Sequence, residues 1–509
     1  MPYQLNPFTD VGLNESLLQF LIDEHEESAI PEYDRLWSYY RNPSEPVEVN
    51  DGRGRRTIWR PAQVRGLPTR LTRSLNGSAP KEIVIENDIA WRIETLVNYV
   101  AGGDVRFISR AREPETRARI EQFASALLEG NGGHQFMADL SLLASIYGQV
   151  DLILRSEQLF SLKNKRGILN SQSGTELSED TAPSQTQSDR SLCKLAEMLK
   201  VEMIEAPRAI PFLDPNDFRR ILAYIIYYRR FTNGIDEPNF LQRTVRKTGL
   251  FRNVPLRQRE TATVVEIISA DHRQRYEDEQ LIFDGVNPSG ILPVVHIQNL
   301  SQPFFYEGVG DVEPLIQLQD ELNTRLSDRA NRVTLQSFKM YLGKNVEGFG
   351  ERPIGPGQMW ITDNPDAVIE EFGGDSSNPS EDQHIEDLRA ALDKASSVSP
   401  LAAGLIRTKV GTLSSENALR ISLLGILAKT DRKRQAIGRG LKEILRMSLG
   451  VLNQTGLFTT DPEDRECDVV WETPLPADET RQLENALIKR DLGIPRERIL
   501  AELGYDDRS

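Results

Sequence analysis

From Ser414 to about Leu452 the chain carries one continuous helical pattern, with Gly425, Gly438 and Gly440 as the positions where it is expected to bend. A second long pattern lies upstream. Asp311 is placed to cap a helix whose first turn tolerates Pro314, and Leu315, Leu318, Leu322, Leu326, Ala330 and Val333 recur every three or four positions through about residue 337. At 1.5 Å per residue that helix is about 40 Å long. A chain of 509 residues is also too long for one compact core, so two or more domains, or an elongated subunit of several parts, are expected.

The first 50 residues read as helical, with a stripe at Leu17, Leu18, Leu21 and Ile22 and an aromatic one at Tyr33, Leu36, Trp37 and Tyr40 that is best read as core. Residues 50–80 are an Arg-, Gly- and Pro-rich loop. A helix capped at Asn87 or Asp88 follows, with Ile89, Ile93, Leu96, Val97 and Val100 on one face and Gly102 and Gly103 as its stop. Strands are predicted at 105–109, 149–154, 221–228, 261–268 and 291–298, helices at 113–129 and 135–147, and turns at Asp284-Gly285 and Pro288-Ser289-Gly290. Residues 164–192 are rich in Ser, Thr, Gln and Asp and nearly empty of large apolar side chains, the composition of a mobile surface insertion. Beyond residue 337 the chain alternates between a β-rich stretch punctuated by Gly355-Pro356-Gly357, a helix from Ser380 to about Ala395, a small-residue loop, and the long helix. A strand at 468–472 and two short helices around Gly493-Ile494-Pro495 close the pattern.

Hydrophobic residues at 39% and charged residues at 27% suit a soluble protein with a real core. The longest strongly apolar stretch, Ile221 to Tyr228, is far too short to span a bilayer. The first residues lack a charged-then-apolar leader, so secretion is not expected. Cys193 and Cys467 are too few for a disulfide framework or a Cys-rich zinc site and fit a reducing compartment. The net charge of −15 argues against a protein that wraps nucleic acid tightly, because phosphate binding is driven by Lys and Arg displacing counterions. The charge is zoned: residues 1–52 hold 11 acids against 2 bases, 53–73 hold seven Arg and no acid, 363–393 hold 10 acids and one Arg, and 405–446 hold 10 bases and 3 acids. Solvated helix faces account for part of this, and a head-to-tail contact between subunits could use the rest.

Catalytic signatures are missing. Gly343-Lys344 lacks the upstream Gly of a phosphate-binding P-loop, and Gly308 and Gly310 have no third Gly at dinucleotide-site spacing. The histidines (His25, His134, His272, His296 and His384) have no metal-ligand spacing, and a lone His296 on a strand reads as a packed or surface residue. Asp214 and Asp217 could bind a metal on paper, but Asp-Pro-Asn-Asp is an ordinary turn. No catalytic residue, metal or cofactor is expected, and the balance favours a structural or assembly role over an enzyme.

The stretch Gly-Ile-Leu-Pro-Val-Val-His-Ile-Gln-Asn (290–299) resembles the strand that closes the large domain of tailed-bacteriophage portal proteins, the head-to-tail connectors. Gly310-Asp311-Val312 and a long helix with Leu315, Asp320, Asn323 and Asp328 follow directly, as in that family. Leu388 to Ser399, a Pro/Gly loop and Ser-Ser-Glu-Asn-Ala-Leu-Arg (414–420) are similar to the family's second stem helix, tunnel loop and long tunnel helix. The likeness covers about residues 80–509 as an order of elements and is most specific between 290 and 456.

The resemblance implies an α+β, predominantly helical fold of portal type. Residues 1–310 would form the wing, 311–337 and 381–395 the two stem helices, and 338–380 the clip. Residues 396–413 would be the tunnel loop, 414–456 the long helix behind it and 457–509 the crown. It further implies a homo-oligomeric ring of about twelve copies at one capsid vertex, through which double-stranded DNA is packaged and ejected. Partners would be the terminase motor, a head-tail adaptor, and major capsid and scaffolding proteins; the site would be the virion, with the host cytoplasm during assembly. Twelve copies would carry about −180, a conduit that repels DNA rather than arresting it. Glu381, Asp382, Glu386 and Asp387 are candidates for an acidic channel wall, with an ordinary solvated face as the equal competitor. Arg407 and Lys409 are candidates for light phosphate contacts in the tunnel loop, where an inter-subunit or solvated role competes. Phe349 and Trp360 are candidate partner anchors in the clip, where core packing competes. Two other readings stand beside this one. One is a nucleic-acid-processing enzyme gripping substrate with the Arg-rich 53–73 segment; the other is a cytoplasmic helical scaffold unrelated to viruses.

Overall fold

The structure, a computed structural model, describes residues 3–50, 55–72, 81–161, 192–236, 258–337, 340–345, 365–372, 378–404, 420–475, 479–494, 496 and 499. The chain opens with helix α1 (Glu15–Glu24), one π-helical turn (His25–Ala29) and helix α2 (Ile30–Arg41). Asn14 caps α1 by accepting the Leu17 N–H at 3.0 Å. The helical expectation for the first 50 residues stops there, because strand β1 (Ser44–Asn50) pairs antiparallel with β2 (Arg55–Pro61). Half of that hairpin lies in the stretch expected to be loop. Its charges hide the strand pattern and also help the pairing, since Glu45 stands opposite Arg60.

Next come α3 (Asp88–Ala101), β3 (Val105–Ser109), α4 (Pro114–Gly130), α5 (Gly133–Tyr147) and β4 (Gln149–Arg155), all close to their predicted limits. A β-rich region follows with β5 (Lys200–Glu205), β6 (Ala209–Asp214), β7 (Asp217–Asp236), β8 (Gln258–Ser269), β9 (His272–Glu277), β10 (Gln280–Val286) and β11 (Val294–Gln298). The last part holds α6 (Ile316–Ser337), β12 (Met340–Lys344), β13 (Val368–Phe372), α7 (Pro379–Ser396), α8 (Leu424–Thr455), β14 (Cys467–Trp471) and α9 (Glu479–Asp491). The expected insertion at 164–192 lies, apart from Leu192, outside the described residues.

The chain divides into two compact units, one of Met1–Asp34, Ile93–Asp311 and Pro400–Ser509, the other of Arg35–Arg92 and Val312–Ser399. In the first unit an antiparallel sheet of order β10-β9-β8-β7-β6 is covered on both faces. Ala223, Ile225 and Tyr227 of β7 pack against Phe8, Leu13, Leu18 and Ile22, while Tyr224 and Ile226 pack against Ile153, Ile204 and Val294. A strand buried on both faces has no polar alternation, which explains the continuous apolar run at 221–228. The predicted Asp284-Gly285 turn lies inside β10. The β9–β10 turn falls instead at Asp278 and Glu279, both with positive φ (46° and 65°), where the Asp278 carboxylate accepts the Thr263 N–H at 2.8 Å.

The main core of this unit is built around α8, a single 32-residue helix whose Ile437, Leu441, Ile444, Leu445, Leu449 and Leu452 are buried. A three-stranded sheet of order β11-β4-β5, the pair β14-β3, and helices α4 and α5 surround it. The three glycines expected as bend points, Gly425, Gly438 and Gly440, all lie within this continuous helix, and the pattern expected from Ser414 is interrupted at Leu423, a turn just before α8. Gly440 has a packing reason: a Cβ there would stand 2.4 Å from the Ile297 side chain of β11, which occupies the space that the glycine leaves. The Gly308-Gly310 pair is explained in the same way. A Cβ on Gly308 would stand 2.4 Å from the Gly148 carbonyl oxygen, and one on Gly310 3.0 Å from that of Ile146; Gly148 itself ends α5 at φ +85°.

Candidate functional site

The second unit is organised by α6 and α7, which pack along one another. Leu322 and Leu326 of α6 and Ile385, Leu388 and Leu392 of α7 are buried, and the spacing of three and four keeps them on one face of each helix. Helix α7 starts at Pro379, with Asn378 rather than the expected Ser380 in the capping position; the Ser380 hydroxyl donates to the Asn378 side chain at 2.8 Å. Glu381 and Asp382 fall in its first turn, where carboxylates favour the positive end of the helix dipole.

Those two acids face a cationic strip on the neighbouring helix. Asp382 pairs with Arg329 at 3.2 Å, and Glu381 with Arg332. One turn later the chemistry changes: Asp387 accepts from Gln383 at 2.9 Å, and Glu386 pairs with Arg389 of its own helix at 3.2 Å. Arg389 also reaches Glu86 at 2.8 Å. Of the four predicted acids, Glu381 and Asp382 therefore pair across to α6, Glu386 and Asp387 bond within α7, and all but Glu381 are exposed.

A ladder of polar side chains on α6 escaped the apolar-periodicity reading. Gln319, Asn323, Ser327 and Asn331 recur every four residues and hydrogen-bond the backbone of an extended segment, 82–88. The N–H groups of Glu82, Val84, Glu86 and Asp88 donate to Asn331, Ser327, Asn323 and Gln319 in turn, at 2.9–3.1 Å. The carbonyls of Glu82 and Glu86 accept from Asn331 and Gln319. The match is geometric: four helical residues rise about 6 Å, and two extended residues advance about 6.6 Å. The helix thus supplies the partners that a neighbouring strand would otherwise give.

Two buried polar centres lock the helices. In the second unit Arg92 of α3 is almost fully buried and reaches Asp88 at 3.0 Å, Asp393 at 2.6 Å and the Val398 carbonyl at 2.6 Å, fixing the C-terminal turn of α7. In the first unit Asp311 is buried against two lysines of α8: Lys429 Nζ lies 2.7 Å from one carboxylate oxygen, and Lys433 contacts the other. Asn299 donates to Asp311 at 3.0 Å, and Ser145 accepts from Lys433 at 2.7 Å. Asp311 is therefore no helix cap: α6 starts at Ile316 after a 3-10 turn at Glu313–Leu315. Burial alone would raise this carboxyl, but the two ammonium groups overcome it and hold it down at about 2. Burial also lowers Lys433, against the opposing pull of Asp311.

The other predicted positions fall as follows. Asp214 and Asp217 flank the β6–β7 turn, Asp214 accepting the Asn216 N–H at 2.9 Å, which is the ordinary turn reading. His296 is packed against Tyr306 and hydrogen-bonded to Asp151 at 2.7 Å. Burial pushes the Cys467 thiol up to about 11. Among the described residues no group of three or more His, Cys, Asp and Glu side chains could hold a metal ion. No helix of the described residues is long and apolar enough to cross a membrane. β12 and β13 pair antiparallel within the stretch read as clip, with Lys344 on Glu370 at 2.6 Å. The candidates Phe349 and Trp360, and the loop candidates Arg407 and Lys409, lie outside the described residues.

Residues 19–507 match the sequence model of a family described as "Phage portal protein, SPP1 Gp6-like". Among solved structures, the chain is similar to one in the neck of an empty gene transfer agent (GTA) particle computed with C6 symmetry. That likeness has 10% identity and a TM-score of 0.45, and covers 82% of this chain and 89% of the other. It is also similar to a chain in the virion of a native GTA particle, at 9% identity and a TM-score of 0.40, with the same coverage. A search of curated protein sequences returns no match.

Proposed function

The chain belongs to the SPP1 Gp6-like family of phage portal proteins, and on that premise we propose that it assembles into a ring of about twelve copies at one capsid vertex. Double-stranded DNA enters and leaves through the ring. The observation that carries this reading is the family match across residues 19–507. The family is structural rather than catalytic, which fits a chain whose polar centres are ion pairs and backbone ladders.

In this reading 1–310 is the wing, 311–337 and 381–395 are the stem, and 338–380 is the clip. Residues 396–413 are the tunnel loop, 414–456 the long helix behind it, and 457–509 the crown. The α6–α7 pair, stiffened by the ladder and by Arg92, is the rigid element such a conduit needs. Glu386 and Asp387 face the channel and keep the lining from gripping phosphate, while Glu381 and Asp382 are spent on the α6 arginines. Arg407 and Lys409 make the light, sequence-independent phosphate contacts. The clip, through Phe349 and Trp360, meets the terminase motor during filling and a head-tail adaptor afterwards. Major capsid and scaffolding proteins are further partners of the ring, with the virion as its location and the host cytoplasm as the place of assembly.

The test is mass and shape in solution. A portal ring has a mass of about 0.7 MDa, about twelve times 57.5 kDa, and two-dimensional class averages with a central hole. Small species at every concentration, with no perforated ring in assembled particles, would overturn the reading.

A further inference from the structure

β11 ends in two side chains that hold the loop following it. His296 and Gln298 lie two residues apart, on one face of the strand. The Gln298 amide donates to the carbonyls of Phe305 and Tyr306 at 3.0 Å. The His296 ring makes two contacts, both at 2.7 Å: Nδ1 with a carboxylate oxygen of Asp151, and Nε2 with the Tyr306 carbonyl oxygen. It also stacks on the Tyr306 ring, with centroids 3.7 Å apart. The base of the loop is closed by Asn299, which donates to the Val309 carbonyl at 3.0 Å, and by the Val309 N–H, which donates to the Leu300 carbonyl at 3.0 Å.

A carbonyl oxygen and a carboxylate oxygen are acceptors only, whereas a neutral imidazole has one N–H and one lone pair. A neutral His296 would therefore set a lone pair against an oxygen at one of its two contacts. Both contacts are satisfied only when both ring nitrogens carry hydrogen. Asp151 does not hold this proton, because its oxygens accept from two further donors, the Tyr224 hydroxyl at 2.6 Å and the Tyr306 hydroxyl at 3.0 Å. Burial, and then the charge of Asp151, raises both tyrosines well above the usual phenol range, so both remain donors. The other ionisable groups around this centre are Tyr33 of α2 and Glu307 of the loop, which act on Tyr306, and Arg208 in the turn before β6, which acts on Tyr224. Arg439 and Glu443 of α8 line the same groove as His296, as do Arg219 and Arg220 of β7, which pair with Asp217 and Asp214.

The loop also carries strain. Phe304 stands at φ +70°, a conformation that a bulky residue keeps only when its surroundings enforce it. Its side chain is 83% exposed and that of Phe305 is exposed as well, so the tip packs little and the bonds to its backbone hold it. We propose that His296 is an imidazolium whose proton holds the loop at 300–309, and that loss of this proton as pH rises frees Phe304 and Phe305 from their set positions. The device lies within one subunit and does not depend on the ring.

The test follows the proton and the loop together. Protein labelled with 15N-histidine is titrated from about pH 5 to about pH 8, the span in which histidine changes charge. The His296 signals are those missing from His296→Gln. In parallel, chymotrypsin cleavage after Phe304 or Phe305 is followed by fragment mass, each rate being divided by that of a free phenylalanine peptide at the same pH. Both His296 nitrogens should be protonated at the acid end. As one proton is lost the corrected cleavage rate should rise by about tenfold or more, the worth of a hydrogen bond to a charged group, with the same midpoint. An unprotonated His296 nitrogen at the acid end overturns the proposal. So does a corrected rate that stays flat, or one that changes with a different midpoint. In His296→Gln the corrected rate should be high and equal at every pH; a rate that still rises with pH assigns the effect to another group and overturns the proposal. Where that variant fails to fold, the wild-type cleavage profile decides, a rise with pH supporting the proposal and a flat profile ending it.

Discussion

The Asp311 carboxylate is buried between Lys429 and Lys433 of α8. Its position before an amphipathic helix suggests a cap, but its carboxylate neutralises two lysines that α8 buries. Taking Asp311→Asn leaves two ammonium groups without a counter-charge, and a buried pair broken in this way costs about 3–5 kcal/mol. Denaturant unfolding should show a loss of that size, with the midpoint moved and the slope unchanged. The pH dependence has a definite sign. The folded carboxyl sits at about 2, below its usual 3.8, so the stability it contributes is complete above pH 4 and lost as pH falls through about 2. From that difference the contribution is about 2 kcal/mol. Wild-type protein should lose it on acidification across that window, and the Asn variant should lack that part of the curve. Lysines at 429 and 433 were legible as part of a basic zone, but their being buried was not, because burial depends on what packs over the helix.

The α6 ladder belongs to the scale of elements. Asn323 accepts from the Glu86 N–H and from Gln319 and donates to Gln63, with all its partners inside the second unit. Asn323→Ala leaves several buried polar groups without partners, at about 3 kcal/mol in total. Amide exchange at residues 82–88 should accelerate with it. Asn331→Ala, at the solvent-exposed end of the ladder, should cost about 1 kcal/mol or less, and equal effects at both ends would mean that the segment is held by something else. The sequence announced α6 through its leucines, and it contained the ladder too, as Gln, Asn, Ser and Asn spaced by four. What it lacked was the partner. An extended segment without apolar alternation gives no strand signal, and its pairing with a helix more than 200 residues away is a tertiary fact. The β1–β2 hairpin was missed for a related reason, since its two short strands carry scattered charges and no sustained apolar alternation.

For the whole molecule, the charge zones seen in the sequence resolve into different uses. The acids at 381 and 382 pair with arginines of α6, whereas those at 386 and 387 bond within α7. In the proposed ring Arg407 and Lys409 serve the DNA and not the assembly. Replacing Arg407 and Lys409 by Ala should therefore leave the assembly at about 0.7 MDa while altering DNA packaging or retention, measured as DNA per particle. A double variant that fails to assemble would assign both residues to a subunit contact instead. What the sequence determined by itself was the order of elements: two long helices, the strands between them, their approximate limits and the family they resemble. Those follow from local periodicity, which every stretch of chain carries within itself. What the tertiary structure decided was which polar groups are buried and paired: Asp311 with two lysines, Arg92 with Asp88 and Asp393, and Gln319 to Asn331 with the backbone of 82–88. A polar side chain is stable inside only when a partner arrives from elsewhere in the chain, and that arrival is long-range, written in no local pattern.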